Sequence, residues 1–390
     1  MKNPYIRAIE KVEENWSREN NVIPYGFDNV SYYLPGTEKQ TFSIITASSG
    51  VAKSQFTDFI AVHKPMEMFW ELHKKSQSQT SPFKVKILYW SLEMAAEIKG
   101  LQLLSHHIFQ SNGGYNNPFN APRYGLKTML SIYNDKRLTT VQKEELKAYS
   151  EYFEWFYDHV EIITGRTSPY GVYTTLYEYF NNEKVGKIHY KTVTSNHYNP
   201  DTNQTEQIEK EVFDYYEYNL ENKNLFVIVV IDHASLISAN KFTDLRLAME
   251  KLSMHLLEIR NMFGPSIYMI QQQASNQESK DNFMRPTLSG LGDNKAVQRD
   301  VDYVIGLFDP VRANEKYCLG FDMKRMNPRY REGSILKSRY GVSNIRWSMF
   351  YDGTTESFWQ LPSEEHCKKS EYNQIIESWY RLAESLPIVM

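Results

Sequence analysis

The sequence predicts an α/β domain, a mostly parallel central sheet flanked by helices with antiparallel strands at its C-terminal end. Three observations carry that expectation. Ile44-Ile45-Thr46-Ala47-Ser48-Ser49-Gly50-Val51-Ala52-Lys53-Ser54 runs from β-branched residues through a small-residue loop to a Lys-Ser pair, and a helical segment follows. Strand, loop and helix in that order form a phosphate-binding loop. Leu225–Ile231 is seven apolar residues in succession, ending on Asp232; it reads as a central parallel strand with a carboxylate at its carboxyl end. Around these two runs, further short β-prone stretches alternate with helices, the pattern of right-handed crossovers.

Composition narrows the class. The chain has 390 residues, 23% charged and 41% hydrophobic, enough to bury a substantial core in one large or two modest domains. It lacks a run of about 18 apolar residues, and its first residues, Met1-Lys2-Asn3-Pro4, lack the apolar stretch of a signal peptide. Soluble, cytoplasmic and not membrane-bound is the expectation. Cys318 and Cys367 are the only cysteines, which excludes a disulfide scaffold or a cysteine-built zinc site. A net charge of −3 gives no global attraction to nucleic acid, so such binding needs a local patch.

Residues 1–20 read as a helix with Ile6, Ile9 and Val12 on one stripe, a face that needs a surface to cover. A turn-rich approach leads to the strand 41–46 and the phosphate loop. There the backbone N–H groups of Ser49, Gly50, Val51 and Ala52 meet anionic oxygens, Lys53 reaches the outer phosphates and Ser54 holds Mg²⁺. Ala47 and Ala52 occupy the two glycine positions of the pattern. If the second needs positive φ, alanine there costs about 1 kcal/mol. The competing reading is a solvated loop with an incidental Lys-Ser.

A helix over 54–75 is followed by a polar loop, a second strand 85–90 and Ser91-Leu92-Glu93-Met94. Glu93 is placed either to polarise an attacking water or to sit on the dipole of the next helix, 95–110. A long aromatic, polar region, 111–157, contains a helix over 140–157. A third strand is expected at 159–164, a helix near 170–181, a hairpin around Asn199-Pro200-Asp201, and a helix over 206–222. Asp232 then serves a metal-bound nucleotide or caps the following turn. After an amphipathic helix, 242–263, the strand 265–270 ends in Gln271-Gln272-Gln273, amides for a γ-phosphate or for solvent. A strand at 300–308, an irregular charged stretch, terminal strands at 334–341 and 345–351 closing on Phe358-Trp359, and a helical tail at 363–390 complete the chain.

In this order the motifs resemble the RecA-like ATPase domain of DnaB-type replicative DNA helicases over about residues 20–361. The resemblance rests on Pro24-Tyr25-Gly26-Phe27, Ser91-Leu92-Glu93-Met94, Val230-Ile231-Asp232, Gln272, Arg285-Pro286-Thr287-Leu288-Ser289 with Gln298-x-Asp300-x-Asp302, and Lys337-Ser338-Arg339. It implies ATP and Mg²⁺ as cofactors, Glu93 as catalytic base, Lys53 on the β- and γ-phosphates, and Ser54 and Asp232 on the metal. Gln272 would sense the γ-phosphate. Lys337 and Arg339 would act in the neighbouring subunit's site, which implies a homo-oligomeric ring, a hexamer, around single-stranded DNA. The helix 1–20 would be a linker docking on the next subunit, 21–361 the motor and 362–390 a tail. Asn294 and Lys295 would touch DNA from the loop 289–296, and a primase or helicase loader would be a further partner.

The departures are specific. Ala52 replaces glycine, Gly292 and Asp293 stand where the family has Arg and Glu, and His233 replaces a tyrosine. Insertions fall at 111–157, 184–210 and 311–333, and with about twenty residues before the core no primase-binding N-terminal domain is expected. These features point to a divergent, phage-encoded member acting in a bacterial host's cytoplasm as a 5′-to-3′ helicase. Ala52 and the depleted pore loop favour an alternative, a RecA-like DNA-binding or structural ring with weak or lost hydrolysis. A recombinase or KaiC-like switch is opposed by Ser91–Met94 and the Lys-x-Arg element.

Overall fold

Apolar runs that can bury both faces become the middle of the sheet, and their partners follow from it. The computed structural model describes residues 22–75, 83–130, 137–199, 203–238, 244–274, 278–279, 282–283, 285–291, 295–366 and 368–386, with Ile6, Ile9, Val12 and Glu13 of the N-terminal helix. Nine strands form the main sheet: β1 (Phe42–Ala47), β2 (Lys84–Ser91), β3 (Val160–Thr164), β6 (Leu225–Asp232), β7 (Ser266–Gln272), β8 (Tyr303–Phe308), β9 (Tyr330–Ser338), β10 (Ile345–Asp352) and β11 (Ser357–Gln360). Their order is β11-β10-β9-β8-β1-β7-β6-β2-β3. From β8 to β3 every pairing is parallel, and β9, β10 and β11 add antiparallel strands beyond β8.

Alternation along each strand divides the core. In β6, Phe226, Ile228 and Val230 face one cluster with Phe56, Phe59 and Ile60, while Leu225, Val227, Val229 and Ile231 face another with Val172, Leu176, Leu252 and Leu256. Both faces are therefore covered, as a parallel sheet requires. The first face is closed by α1, which runs as Lys53–Asp58, a π turn Phe59–His63 and Lys64–Lys75. Pro65 has no N–H for the carbonyl four residues back, and the widened turn before it relieves the clash of its ring. The helix α2 (Ala96–Ser111) follows β2; α6 (Pro169–Phe180) and α7 (Leu245–Phe263) close the second face.

Two expectations need correction. The segment 206–222 is not a helix but strand up to Tyr218, followed by a 3-10 turn at Leu220–Asn222: β4 (Gly186–Asn199) and β5 (Gln204–Tyr218) pair over their full length, Gly186 opposite Tyr218 and Asn199 opposite Gln204. Ile208, Val212, Phe213 and Tyr216 have a spacing that also fits a helix. Their β-branched and aromatic side chains, however, pack Phe213, Tyr216 and Tyr218 against the α6–α7 face, with the Phe213 and Tyr216 rings edge-on to Phe263. Helix 140–157 is two helices, α4 (Thr140–Lys147) with a Thr139–Gln142 capping box and α5 (Ser150–His159), the latter burying Tyr152 and Phe156. A four-residue turn of helix, α3 (Leu126–Met129), precedes them.

Between β8 and β9 lie a small ribbon, Tyr317–Cys318 with Phe321–Asp322, and α9 (Met323–Met326). The C-terminal helix, α10 (Lys369–Ser385), seals this segment by packing Tyr372, Ile376, Tyr380 and Leu382 against Phe321, Met326, Tyr330 and Phe350. The short helix α8 (Lys295–Asp300) leads into β8. At the N-terminus, Ile6, Ile9 and Val12 are helical and each is more than 40% exposed, a partly open apolar stripe.

Candidate nucleotide site

The loop between β1 and α1 turns left-handed twice, at Gly50 (φ 72°) and at Ala52 (φ 75°). Ala52 thus adopts a conformation that alanine takes only at a cost of about 1–2 kcal/mol. It is the N-cap of α1 and makes no side-chain cap, which leaves the first-turn N–H groups to an anion. Lys53 Nζ donates to the Ser48 carbonyl at 2.8 Å, folded back over the loop. Ser54 Oγ donates to Asp232 Oδ1 at 3.0 Å, so the phosphate loop and the end of β6 meet at two oxygens. Among the described residues no group of three His, Cys, Asp or Glu is placed to hold a metal. A hydroxyl and a carboxylate are hard-oxygen donors of the kind that suits Mg²⁺.

Glu93 lies at the end of β2, beside β6. The Leu92 N–H donates to the Asp232 carbonyl at 2.8 Å, which ties the two strand ends together. The Glu93 carboxylate is largely exposed and 3.7 Å from His233 Nε2, whose Nδ1 meets Ser235 Oγ at 2.5 Å. Gln272 is half-buried opposite Ala47 in the β1–β7 pairing. Its neighbours do not face solvent. Gln271 Nε2 donates to the Leu291 carbonyl at 3.0 Å, and Gln273 Nε2 to Thr46 Oγ1 at 2.9 Å and to the Thr287 carbonyl at 3.3 Å. Gln271 and Gln273 thereby connect the end of β7 to the segment 285–291, and Gln273 also ties it to the phosphate-loop strand.

Lys337 and Arg339 stand elsewhere. Lys337 pairs with Val304, which pairs with Ile44, and Arg339 lies beyond Ser338, which is level with Ser43. At about 3.3 Å per residue that is more than about 10 Å toward the amino end of β1, and two strands across. Lys337 Nζ donates to the carbonyls of Gln298 and Val301. Burial, then the charge of Arg339, lowers its pKa. Arg339 is held by Asp302, its Nη1 3.1 Å from Oδ1, while Asp302 Oδ2 accepts from the Phe42 N–H at 2.9 Å and from Arg260. The chain therefore does not bring these cations to its own phosphate loop. Lys295 opens α8, and Asn294, with Gly292 and Asp293, lies outside the described residues.

Sequence reasoning missed two features behind the site. Arg312 and Arg331, from the 311–333 segment, donate to the loop carbonyls of Ser49 and Val51. And Asp232 continues into a buried ionic network: Tyr89 OH donates to its Oδ2 at 2.9 Å, and Lys99 Nζ is 3.9 Å from it while bound to Asp58. The one signal was polarity at core positions, Asp58 in α1 and Lys99 in α2. Burial alone would lower the Lys99 pKa, but Asp58 and Asp232 raise it overall, so it remains an ammonium. Lys99→Met is expected to destabilise the fold by about 3–5 kcal/mol, because Asp58 is left as a lone buried charge. Asp58→Leu/Lys99→Met is expected to recover most of that loss in urea unfolding; an equally damaged double variant contradicts the pairing.

Glu356, in the turn before β11, belongs to the same network. Burial first, then the charge of Asp58, pushes its carboxyl from near 4.5 up to about 8. The folded chain therefore holds a proton that the unfolded chain releases across that window, and stability falls as pH rises through it. In Glu356→Gln the fall in unfolding free energy between about pH 5 and pH 8 is expected to shrink by roughly 3 kcal/mol. Identical pH profiles for the two proteins would count against the bound proton.

A phosphate loop between the first strand and helix of a parallel sheet, facing an aspartate at the end of β6, two strands across, defines the P-loop class of fold. More closely, the chain has the RecA-like fold of DnaB-type helicase ATPase domains. It aligns with a structure described as a DnaB-like replicative helicase and its interactions with primase, at TM-score 0.58 and 14% identity over 92% of this chain and 68% of that one. It aligns as well with a second structure, described as an ATPase domain, at TM-score 0.57 and 15% identity over 93% of this chain and 100% of that one. No family model and no curated protein sequence matches the chain.

Proposed function

We propose that this chain is an ATP-dependent DNA helicase, a ring motor of identical subunits that translocates on single-stranded DNA and unwinds duplex. The observation that carries it is the division of the site. The phosphate loop, Ser54–Asp232 and Glu93 converge within one chain, whereas Lys337 and Arg339 sit at the far end of the sheet. Beyond Lys53, a single subunit then lacks the Lys337 and Arg339 cations at its own site, and in this reading a neighbour supplies them to the transferred phosphoryl group. The exposed stripe of Ile6, Ile9 and Val12 supports a linker docking on an adjacent subunit.

In this reading Lys53 leaves the Ser48 carbonyl for the β- and γ-phosphate oxygens. Ser54 and Asp232 hold Mg²⁺, which, when bound, offsets charge on the same oxygens. Glu93 accepts the proton of the attacking water with His233 orienting it, and Gln272 passes the state of the γ-phosphate to the segment 285–291 through the flanking amides. Asn294 and Lys295 contact the DNA backbone, where few cations per subunit suffice in a ring. By the resemblance, movement is 5′ to 3′, the ring is a hexamer, a primase or loader is a partner, and the setting is a bacterial host's cytoplasm during phage replication. The motor is 21–361, with insertions near 111–157, 184–210 and 311–333, between the linker helix 1–20 and the tail 362–390.

Steady-state ATP hydrolysis, measured with and without single-stranded DNA across protein concentrations that bracket assembly, tests the proposal. A rate per subunit that rises with both is expected. A second reading, a DNA-binding or structural ring with weak or lost hydrolysis, is favoured by the left-handed Ala52. Nucleotide binding with no turnover above Glu93→Gln would select it.

A further inference from the structure

Ala52 stands at φ 75°, ψ 37° although it carries a β-carbon. Something outside the loop has to hold that peptide, and two arginines are in position to do so. Arg331 Nε donates to the Val51 carbonyl at 3.1 Å, and Arg312 Nη1 donates to the Ser49 carbonyl. Arg331 is itself immobilised. It is buried, its Nη1 donates to the Pro328 carbonyl at 3.0 Å and lies 3.3 Å from Asp309 Oδ2, and its guanidinium stacks 4.7 Å from the Tyr351 ring centroid. Asp309 Oδ1 accepts in turn from the Val311 N–H at 3.1 Å and the Arg312 N–H at 3.4 Å, so one carboxylate supports both arginines.

The Ser49–Gly50 and Val51–Ala52 peptides are trans. In a planar trans peptide the carbonyl and the following N–H point in opposite directions. Fixing the Ser49 and Val51 carbonyls on the guanidiniums therefore turns the Gly50 and Ala52 N–H groups to the other side of the loop backbone, where they can bind an anion. A glycine would reach the same conformation without strain.

We propose that Arg331, assisted by Arg312, is a positioning residue that stands in for the missing glycine, presetting the amides of Gly50 and Ala52 for the phosphates of a nucleotide. This rests on the nucleotide-binding reading above. Its consequence is conditional: Arg331 matters to nucleotide affinity because residue 52 is alanine.

A double-mutant cycle of Arg331→Met and Ala52→Gly, on the full chain, reads this through equilibrium binding of a fluorescent ADP with Mg²⁺, with thermal unfolding to check the fold. Arg331→Met is expected to weaken binding about tenfold or more when Ala52 is retained and less than about threefold in the Ala52→Gly background, since a glycine loop no longer needs the clamp. An arginine that merely stabilises the 311–333 segment costs the same factor in both backgrounds, and that additivity overturns the proposal. If Arg331→Met does not fold, the cycle is run with Arg312→Gln, whose side chain is exposed. A smaller loss that disappears in the Ala52→Gly background supports the clamp, and an equal loss in both overturns it. Absence of binding in every folded variant removes the nucleotide reading and the clamp with it, whereas binding with additive factors removes the clamp alone.

Discussion

Lys53→Ala is expected to lower ATP hydrolysis by about 10²–10³-fold at saturating nucleotide, the loss that follows removal of one preorganised group opposite developing charge. Lys53 is the first residue of α1, and in the single chain its ammonium donates to the Ser48 carbonyl, 2.8 Å away. That contact keeps the ammonium beside the loop while the side chain stays half-buried, so its removal opens no core cavity. A thermal unfolding midpoint within a few degrees of wild type is expected alongside the kinetic defect. Phosphate release by the folded variant within tenfold of wild type would mean that this loop does not hold the reacting phosphates.

Arg339→Ala is expected to cost about 10³-fold or more, the scale of a cation that reaches the transferred phosphoryl group from outside its own subunit. In the single chain Arg339 is 3.1 Å from Asp302 Oδ1, and Asp302 retains Arg260 when Arg339 is removed, so the fold should persist. The decisive measurement is a mixture of Lys53→Ala and Arg339→Ala chains. Each alone is inactive, but an interface that joins the intact phosphate loop of one to the intact arginine of the other is complete, and mixing should restore hydrolysis. If both variants assemble and the mixture stays inactive, Arg339 does not act across subunits.

Most of the sheet was legible because parallel strands covered on both faces read as unbroken apolar runs. Leu225–Asp232 and Ser266–Gln272 are where those runs end in polar side chains. The phosphate loop was legible for a local reason as well: strand, turn and helix N-terminus are consecutive, so spacing alone sets their geometry. Exposed elements were harder. Gln204–Tyr218 pairs with Gly186–Asn199 as a ribbon, and only its contact with Phe180 and Phe263 chooses the strand over a helix of the same composition.

The sequence by itself determined the class of fold, the strand–loop–helix around Lys53 and the strand-end positions of Glu93 and Asp232, because each depends on neighbours within a few residues or on the end of a strand whose pattern is its own. Only the tertiary structure decided which cations meet that loop. Asp302, at the head of β8, pins Lys-x-Arg toward the far end of the sheet. The pairing of β8 with β1 brings Arg312 and Arg331 to carbonyls 263 and 280 positions away in the chain. Asp58 and Lys99 likewise meet only because α1 and α2 pack behind the same strands. Contacts between groups so distant in sequence arise from strand order and helix packing, which no local spacing encodes.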